Sequence, residues 1–198
     1  MYNKPEFEAD DVESEAIIDT HPLAQLVVAM SDGIVATPVP MVRRGESLVG
    51  HVARPNDIWQ YPGKALAIFT GPDAYVSPNW YPSKAEHGRV VPTWNYTSVH
   101  ARGTLVIHDD DDWKLALVTF LTDRFESTQP KPWRVADAPP DYTAGLMRRI
   151  VGIELVNVTL EGKRKLSQNQ SADNLEAVRN TLAGGDASQQ AVAQQMHG

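Results

Sequence analysis

Short apolar runs broken by turn-forming residues dominate the first part of the chain. Residues 23–30, 34–42 and 47–53 are such runs, separated by Ser31-Asp32-Gly33 and Arg43-Arg44-Gly45-Glu46. Both separators have hairpin length, so the spacing predicts a meander of three strands. Pro38 and Pro40 fall inside the second run, and a proline gives no N–H to a ladder, which predicts an edge strand or a bulge there. Residues 64–70 are apolar on both parities, as a central strand is. From 90 to 108 the chain alternates. Trp94, Tyr96, Ser98, His100 and Arg102 share one parity, and smaller residues such as Thr93, Asn95, Thr97, Val99 and Ala101 share the other. Two different environments therefore flank this strand. Residues 153–160 supply one more.

Helical periodicity is confined to short segments. Asp10 with Glu13 forms a capping-box pattern ahead of Ala16, Ile17 and Ile18, and Pro22 lies beyond the helix end. The acidic run 109–112 introduces an amphipathic helix with Trp113, Leu117, Phe120, Leu121 and Phe125 on one side. A short helix is expected from Asp141, with Tyr142, Leu146 and Ile150 at spacings of four and Gly152 capping its end. Ser171 caps a last helix through Leu182. Residues 183–198 are rich in Gly, Ala and Gln and read as a flexible C-terminal tail, leaving residues 1–182 as one domain. Strands with helices at their edges favour an α+β, mainly β barrel over a doubly wound sheet.

Candidate chemistry concentrates between 71 and 96. Tyr75, Trp80, Tyr81, Trp94 and Tyr96 are interleaved with Ser77, Ser83, Thr93 and Asn95, and prolines at 72, 78, 82 and 92 exclude a long helix. Flat apolar surfaces among neutral hydrogen-bonding groups suit a planar heteroaromatic ligand. An ordinary aromatic core under a loop has the same composition.

Charge and motif content narrow the classes. The chain has 25 acidic against 18 basic residues, a net charge of −7, which opposes sequence-independent attraction to nucleic acid. It has no cysteine, so thiolate metal sites, disulfides and cysteine nucleophiles are excluded. No run of about 18 apolar residues marks a membrane span, and the acidic start lacks a secretory pattern, so a cytoplasmic location is the default. Dinucleotide, phosphate-loop, zinc-protease and serine-hydrolase signatures are missing. His108 with the acids at 109–112 has hard-metal ligand types, but acids at a helix start are explained by capping and the dipole. His51, His87 and His100 are acid–base candidates, none of them assignable as a base. Arg54 precedes Asn56, a capping residue, which brings a cation and backbone amides together as a phosphate would require. Lys163, Arg164 and Lys165 lead into an amide-rich turn of similar character.

Several ordered motifs match a known pattern. His51-Val-Ala-Arg-Pro-Asn56, Ala74-Tyr-Val-Ser-Pro-Asn-Trp-Tyr81, Ser83-Lys-Ala-Glu-His87, Val91-Pro-Thr-Trp-Asn-Tyr96, Asp137-Ala-Pro-Pro-Asp-Tyr142 and Lys165-Leu-Ser-Gln-Asn169 together resemble the PaiB family of FMN-binding negative transcriptional regulators. The resemblance covers residues 1–182. It implies an FMN-binding split β-barrel with peripheral helices, related to pyridoxamine-phosphate oxidases and flavin reductases, and a homodimer with flavin between subunits. It also implies a set of FMN contacts. His51, Arg54 and Asn56 approach the phosphate, with Lys84 as a second cation, while Tyr75, Ser77, Thr93, Trp94 and Asn95 line the ring and ribityl chain.

Three functions follow as expectations. A regulatory or sensing protein acting through bound flavin is the first, although the acidic chain and the lack of a helix-turn-helix argue against direct DNA binding. A flavin-dependent oxidoreductase acting on a small substrate is the second. A haem-binding or haem-degrading split barrel, using a histidine as ligand, is the third.

Overall fold

A computed structural model describes residues 1–30 and 33–196. The first elements are β1 (Glu8–Ala9), α1 (Asp11–Thr20), β2 (Leu23–Met30), β3 (Gly33–Pro40), β4 (Val42–Arg44) and β5 (Ser47–Ala53). They are followed by β6 (Gly63–Val76), α2 (Ser83–His87), β7 (Thr93–His108) and α3 (Asp111–Glu126). The chain ends with α4 (Pro140–Met147), β8 (Ile150–Lys165), α5 (Ala172–Ala183) and α6 (Ala187–Gln195). The strands form one sheet in the order β3-β2-β6-β7-β8-β5-β4, with β1 paired to β8. All pairings whose register is resolved are antiparallel. No described helix is long and apolar enough to cross a membrane.

The chain divides into two compact units, and β6, β7 and β8 each run from one into the other. The first unit holds Met1–His21, Phe69–His100 and the chain from Leu160 onward; the second holds Pro22–Ile68 and Ala101–Thr159.

In the second unit the expected three-strand meander is only partly formed: β2 and β3 make its first hairpin, but the run 34–42 breaks at Met41, and its remainder, β4, pairs with β5 at the opposite end of the strand order. The Ser31-Asp32 part of its first turn signal lies outside the described residues. β3 sits at an end of the strand order, as Pro38 and Pro40 require. Ala24, Leu26 and Val28 of β2 are buried, and the opposite parity is not. On that outer side Val27 stands between Ala36 and Leu66, and Gln25 between Pro38 and Ile68. With Ile34, which is 75% exposed, they make a largely apolar sheet face open to solvent. On α3, Leu117 and Leu121 pack against Val42 and Val49 with Trp113 and Phe120 alongside, whereas Phe125 is exposed.

Two expectations fail in this unit. Tyr142 and Leu146 of α4 are exposed rather than packed, and only Met147 of that helix is buried. Gly152 is not a helix cap but a buried position within β8, paired with His51. A Cβ there would stand 2.2 Å from Cζ3 of Trp113. The glycine admits that indole, which stacks on His108 with centroids 3.9 Å apart.

The first unit is built around Val76, Tyr81, Leu166, Val178, Leu182 and Met196. The capping box of α1 is formed, with the Glu13 amide donating to Asp10 Oδ1 at 2.8 Å. Ser171 caps α5 as its position predicts. Residues 183–196, expected as a flexible tail, instead contain α6, capped by an Asp186–Gln189 box. Its Val192 and Ala193, with Met196 just beyond, are buried in the core. Three apolar side chains at spacings of one to four are enough to dock a helix that composition alone marks as mobile.

Candidate functional site

In the first unit strand alternation decides what faces outward. Ala74 and Val76 of β6 are buried, which turns Tyr75 out; Asn95 and Thr97 of β7 are buried, which turns Trp94 out. Tyr75 and Trp94, 44% and 53% exposed, meet edge to face with centroids 6.0 Å apart and an interplanar angle of 71°. Ser77 accepts from the Asn79 amide at 3.2 Å and caps the 3-10 turn Pro78–Trp80. Lys84, on α2, donates to Asn79 Oδ1 at 2.5 Å. Tyr75, Ser77, Lys84, Thr93, Trp94 and Asn95 thus lie in one unit. Asn95 is turned inward and fully buried, accepting from Ser167 Oγ at 3.0 Å and donating to Met196 Sδ at 3.7 Å.

The motif Lys165-Leu-Ser-Gln-Asn169 grips this surface from beneath. Lys165 Nζ donates to Thr93 Oγ1 and to the Trp94 carbonyl, each at 2.5 Å. Burial, reinforced by the charge of Lys163, pulls the Lys165 ammonium below the ordinary lysine range. Ser167 holds a left-handed backbone, φ 65°, that a non-glycine residue adopts at a cost, and its hydroxyl is spent on Asn95. Residues 93–95 are therefore fixed from Lys165 and Ser167 together. Lys165 is absent from the expected contact set. The sequence did place it in a basic stretch, but that stretch lies within β8 rather than in a turn.

His51, Arg54 and Asn56 belong to the second unit. Arg54 makes internal hydrogen bonds from all three of its side-chain nitrogens. Its Nη1 and Nη2 donate to Asp109 Oδ2 at 3.0 Å and Oδ1 at 2.5 Å, its Nε donates to the Arg148 carbonyl at 2.9 Å, and Nη2 also reaches the Ile150 carbonyl. The hydrogen bond from Arg54, joined by one from Lys114, holds the Asp109 carboxyl at about 2, well below its ordinary range. Asn56 caps the 3-10 turn Asp57–Gln60, as its position predicts, with Oδ1 accepting from the Ile58 amide at 3.1 Å. Its Nδ2 donates to Thr37 Oγ1 at 3.0 Å. His51, on β5, is largely buried, and burial lowers its pKa, which favours the neutral ring. Its Nδ1 is buried with no hydrogen-bond partner among the described residues. His108, of the suspected metal cluster, has its Nε2 2.8 Å from Glu154 Oε2.

Comparisons with known proteins extend this geometry. The family described as "Putative FMN-binding domain" matches residues 1–159. An uncharacterized protein of Aspergillus fumigatus is 32% identical over 150 residues, 67% of this chain and 58% of its own. Protease synthase and sporulation protein PAI 2 of Bacillus subtilis is 29% identical over 127 residues, 63% of this chain and 58% of its own. The chain spans between 57% and 64% of the length of the curated relatives it matches. Among solved structures, the FAD and haem binding protein from Mycobacterium smegmatis aligns with a TM-score of 0.59 at 22% identity, covering 90% of this chain and 80% of that one. The flavocytochrome Anf3 from Azotobacter vinelandii aligns with a TM-score of 0.58 at 16% identity, covering 78% and 67%. At these identities the likeness is one of fold. The mainly antiparallel sheet of eight strands, not closed, with six helices among the described residues, is of the split-barrel class. The family match reaches further than the fold, because it runs through the strands that carry His51, Tyr75 and Trp94. On that match the chain belongs to the PaiB-type FMN-binding domain family.

Proposed function

We propose that this protein binds FMN and acts as a sensing or regulatory protein through the bound flavin. The family match over residues 1–159 carries this reading. The residues present fit the group. Tyr75 and Trp94 offer exposed ring surface for a flat heterocycle. Thr93 accepts from Lys165, which leaves its own hydroxyl proton to donate to a ligand carbonyl. Ser77 and Lys84, in the same unit, add a hydroxyl and a surface cation. Arg54 and Asn56, whose polar atoms are taken up within the chain, serve by shaping the segment after β5; Asn95 serves by anchoring the start of β7. Bound flavin supplies one- and two-electron redox chemistry, and the chain supplies binding and orientation.

A homodimer belongs to the same proposal. The open apolar face around Val27, Ile34, Ala36 and Leu66 is the kind of surface that a second copy covers. Sedimentation is expected to give twice the 21.8 kDa chain mass, and Val27→Lys to give a monomer. A wild-type monomer at micromolar concentration would remove the dimer.

Flavin titration tests the cofactor. FMN fluorescence is expected to be quenched with one site per chain, and a reduced nicotinamide that bleached the bound flavin would move the protein to the oxidoreductases. Absence of any quenching would defeat FMN binding. Direct operator binding is not part of the proposal, because the net charge of −7 opposes it. Tight, sequence-selective binding to DNA at physiological salt would restore it.

A further inference from the structure

Two lysines on one face of β8 carry charge that the described residues do not balance. Lys163 is only 7% exposed. Its Nζ donates to the Tyr2 carbonyl at 3.1 Å and lies 5.6 Å from the ring centroids of both Tyr2 and Tyr96. Lys165, two residues on and so on the same face, is held by Thr93 Oγ1 and the Trp94 carbonyl. These partners are neutral oxygens or rings, and neither ammonium has a carboxylate at ion-pair distance among the described residues. Glu8 stands directly across from Lys163 in the β1–β8 register but is exposed and makes no ion pair with it. Two other covered cations of this chain are matched. Arg164, between the two lysines, pairs with Glu13, and the buried Lys114 takes both Asp109 and Asp111. Leaving two neighbouring cations under cover with no counter-charge is costly unless an anion is drawn in from outside.

We propose that the Lys163–Lys165 face is a site for a phosphate monoester dianion, with the Lys165 ammonium and the Thr93 hydroxyl as contacts and Lys163 as the buried charge behind them. Two positive charges and a hydroxyl match a dianion with three acceptor oxygens. The depressed affinity of Lys165 for its proton is consistent with a cation waiting for such a partner. The proposal deepens the flavin reading, because Lys165 also holds Trp94. The phosphate has two sources: the ribityl phosphate of FMN, or a free phosphate or separate phosphorylated ligand.

Lysine side-chain NMR on the full-length protein tests this without flavin. Inorganic phosphate, added at constant ionic strength against a chloride control, is expected to shift the Lys163 and Lys165 signals and to raise the pH at which Lys165 titrates. Lys165→Met should abolish that response, and Lys165→Arg should keep phosphate binding. If the source is FMN, Lys165→Met weakens FMN by about ten- to a hundred-fold more than it weakens riboflavin, whose own loss reports only the loosened Thr93 and Trp94. If FMN is unaffected while inorganic phosphate still binds the wild type, the site takes a separate phosphate, and the proposal holds with the second source. No phosphate response beyond the chloride control in the wild type overturns it, whatever the flavin titration gives. That measurement needs no variant, so a variant that failed to fold would not rescue the idea.

Discussion

Asp109 receives Arg54 through both carboxylate oxygens, at 3.0 and 2.5 Å, so the arginine that the sequence offers for a phosphate is already spent on an internal partner. The same Oδ1 accepts from Lys114 at 3.0 Å. One half-exposed carboxylate therefore ties the segment after β5 to the start of α3.

The acid response follows from that carboxylate. Asp109 has a folded pKa of about 2 against an ordinary 3.8. A lowered folded pKa stabilises the fold above the unfolded value and loses that contribution as pH falls from about 4 towards 2. Because Asp109 is half exposed, solvent screening keeps the term small. Asp109→Asn is expected to lose about 1 kcal/mol at pH 7 in urea unfolding, and the gap to wild type should narrow by pH 3. A gap of equal size at both pH values would show that charge is not the cause.

Two glycines should respond in opposite directions. Gly152→Ala places a methyl 2.2 Å from the Trp113 ring and is expected to destabilise by about 1–3 kcal/mol, with a change in near-ultraviolet circular dichroism as the His108 stack is disturbed. Gly145 lies inside α4 with only the end of Arg148 within 4 Å of its Cβ position. Gly145→Ala is expected to stabilise by about 0.5–1 kcal/mol through helix propensity. Chemical denaturation midpoints check both.

Removal of residues 184–198 should not be neutral. Met196 is 1% exposed and its sulfur accepts from Asn95. Met196→Ala is expected to cost about 2–5 kcal/mol, and the truncation at least as much. Thermal unfolding that left the truncated chain within a degree of wild type would contradict the docking of α6.

The flavin reading separates ring contacts from structural ones. Trp94→Ala is expected to weaken FMN and riboflavin alike, by about tenfold, because in the proposed site the indole meets the ring and not the phosphate. Arg54→Ala is expected to lower the thermal midpoint while leaving the FMN-to-riboflavin affinity ratio unchanged. A selective loss of FMN in Arg54→Ala would return the arginine to the phosphate.

Much of the backbone was legible in the sequence, and the reasons are local. The Asp10–Glu13 box, the Ser171 cap and the parity of β7 depend on residues close in the chain, so pattern reading finds them. Gly152 shows the limit. Its role is set by Trp113, a packing partner about 40 residues away, and a glycine after an amphipathic stretch has the same local signature as a cap. The burial of Met196 and the pairing of Arg54 with Asp109 were hidden for the same reason, since both come from distant segments. The aromatic surface was legible because β-strand alternation sorts Trp94 from Asn95, although nothing local said that Asn95 would be consumed by Ser167. Family likeness supplied the flavin. Residue chemistry alone reached only a planar ligand.

The prolines of β3 govern how copies of this protein can meet in crowded solution. Pro38 and Pro40 remove two amide donors from a strand at the end of the sheet order, so a second chain arriving there finds carbonyls without the N–H groups needed to continue a ladder. Fibril-like growth by strand addition is disfavoured along the Pro38–Pro40 part of that border, even though the adjoining apolar face is open. Replacing both prolines with a β-branched residue would be expected to turn an orderly association into precipitation.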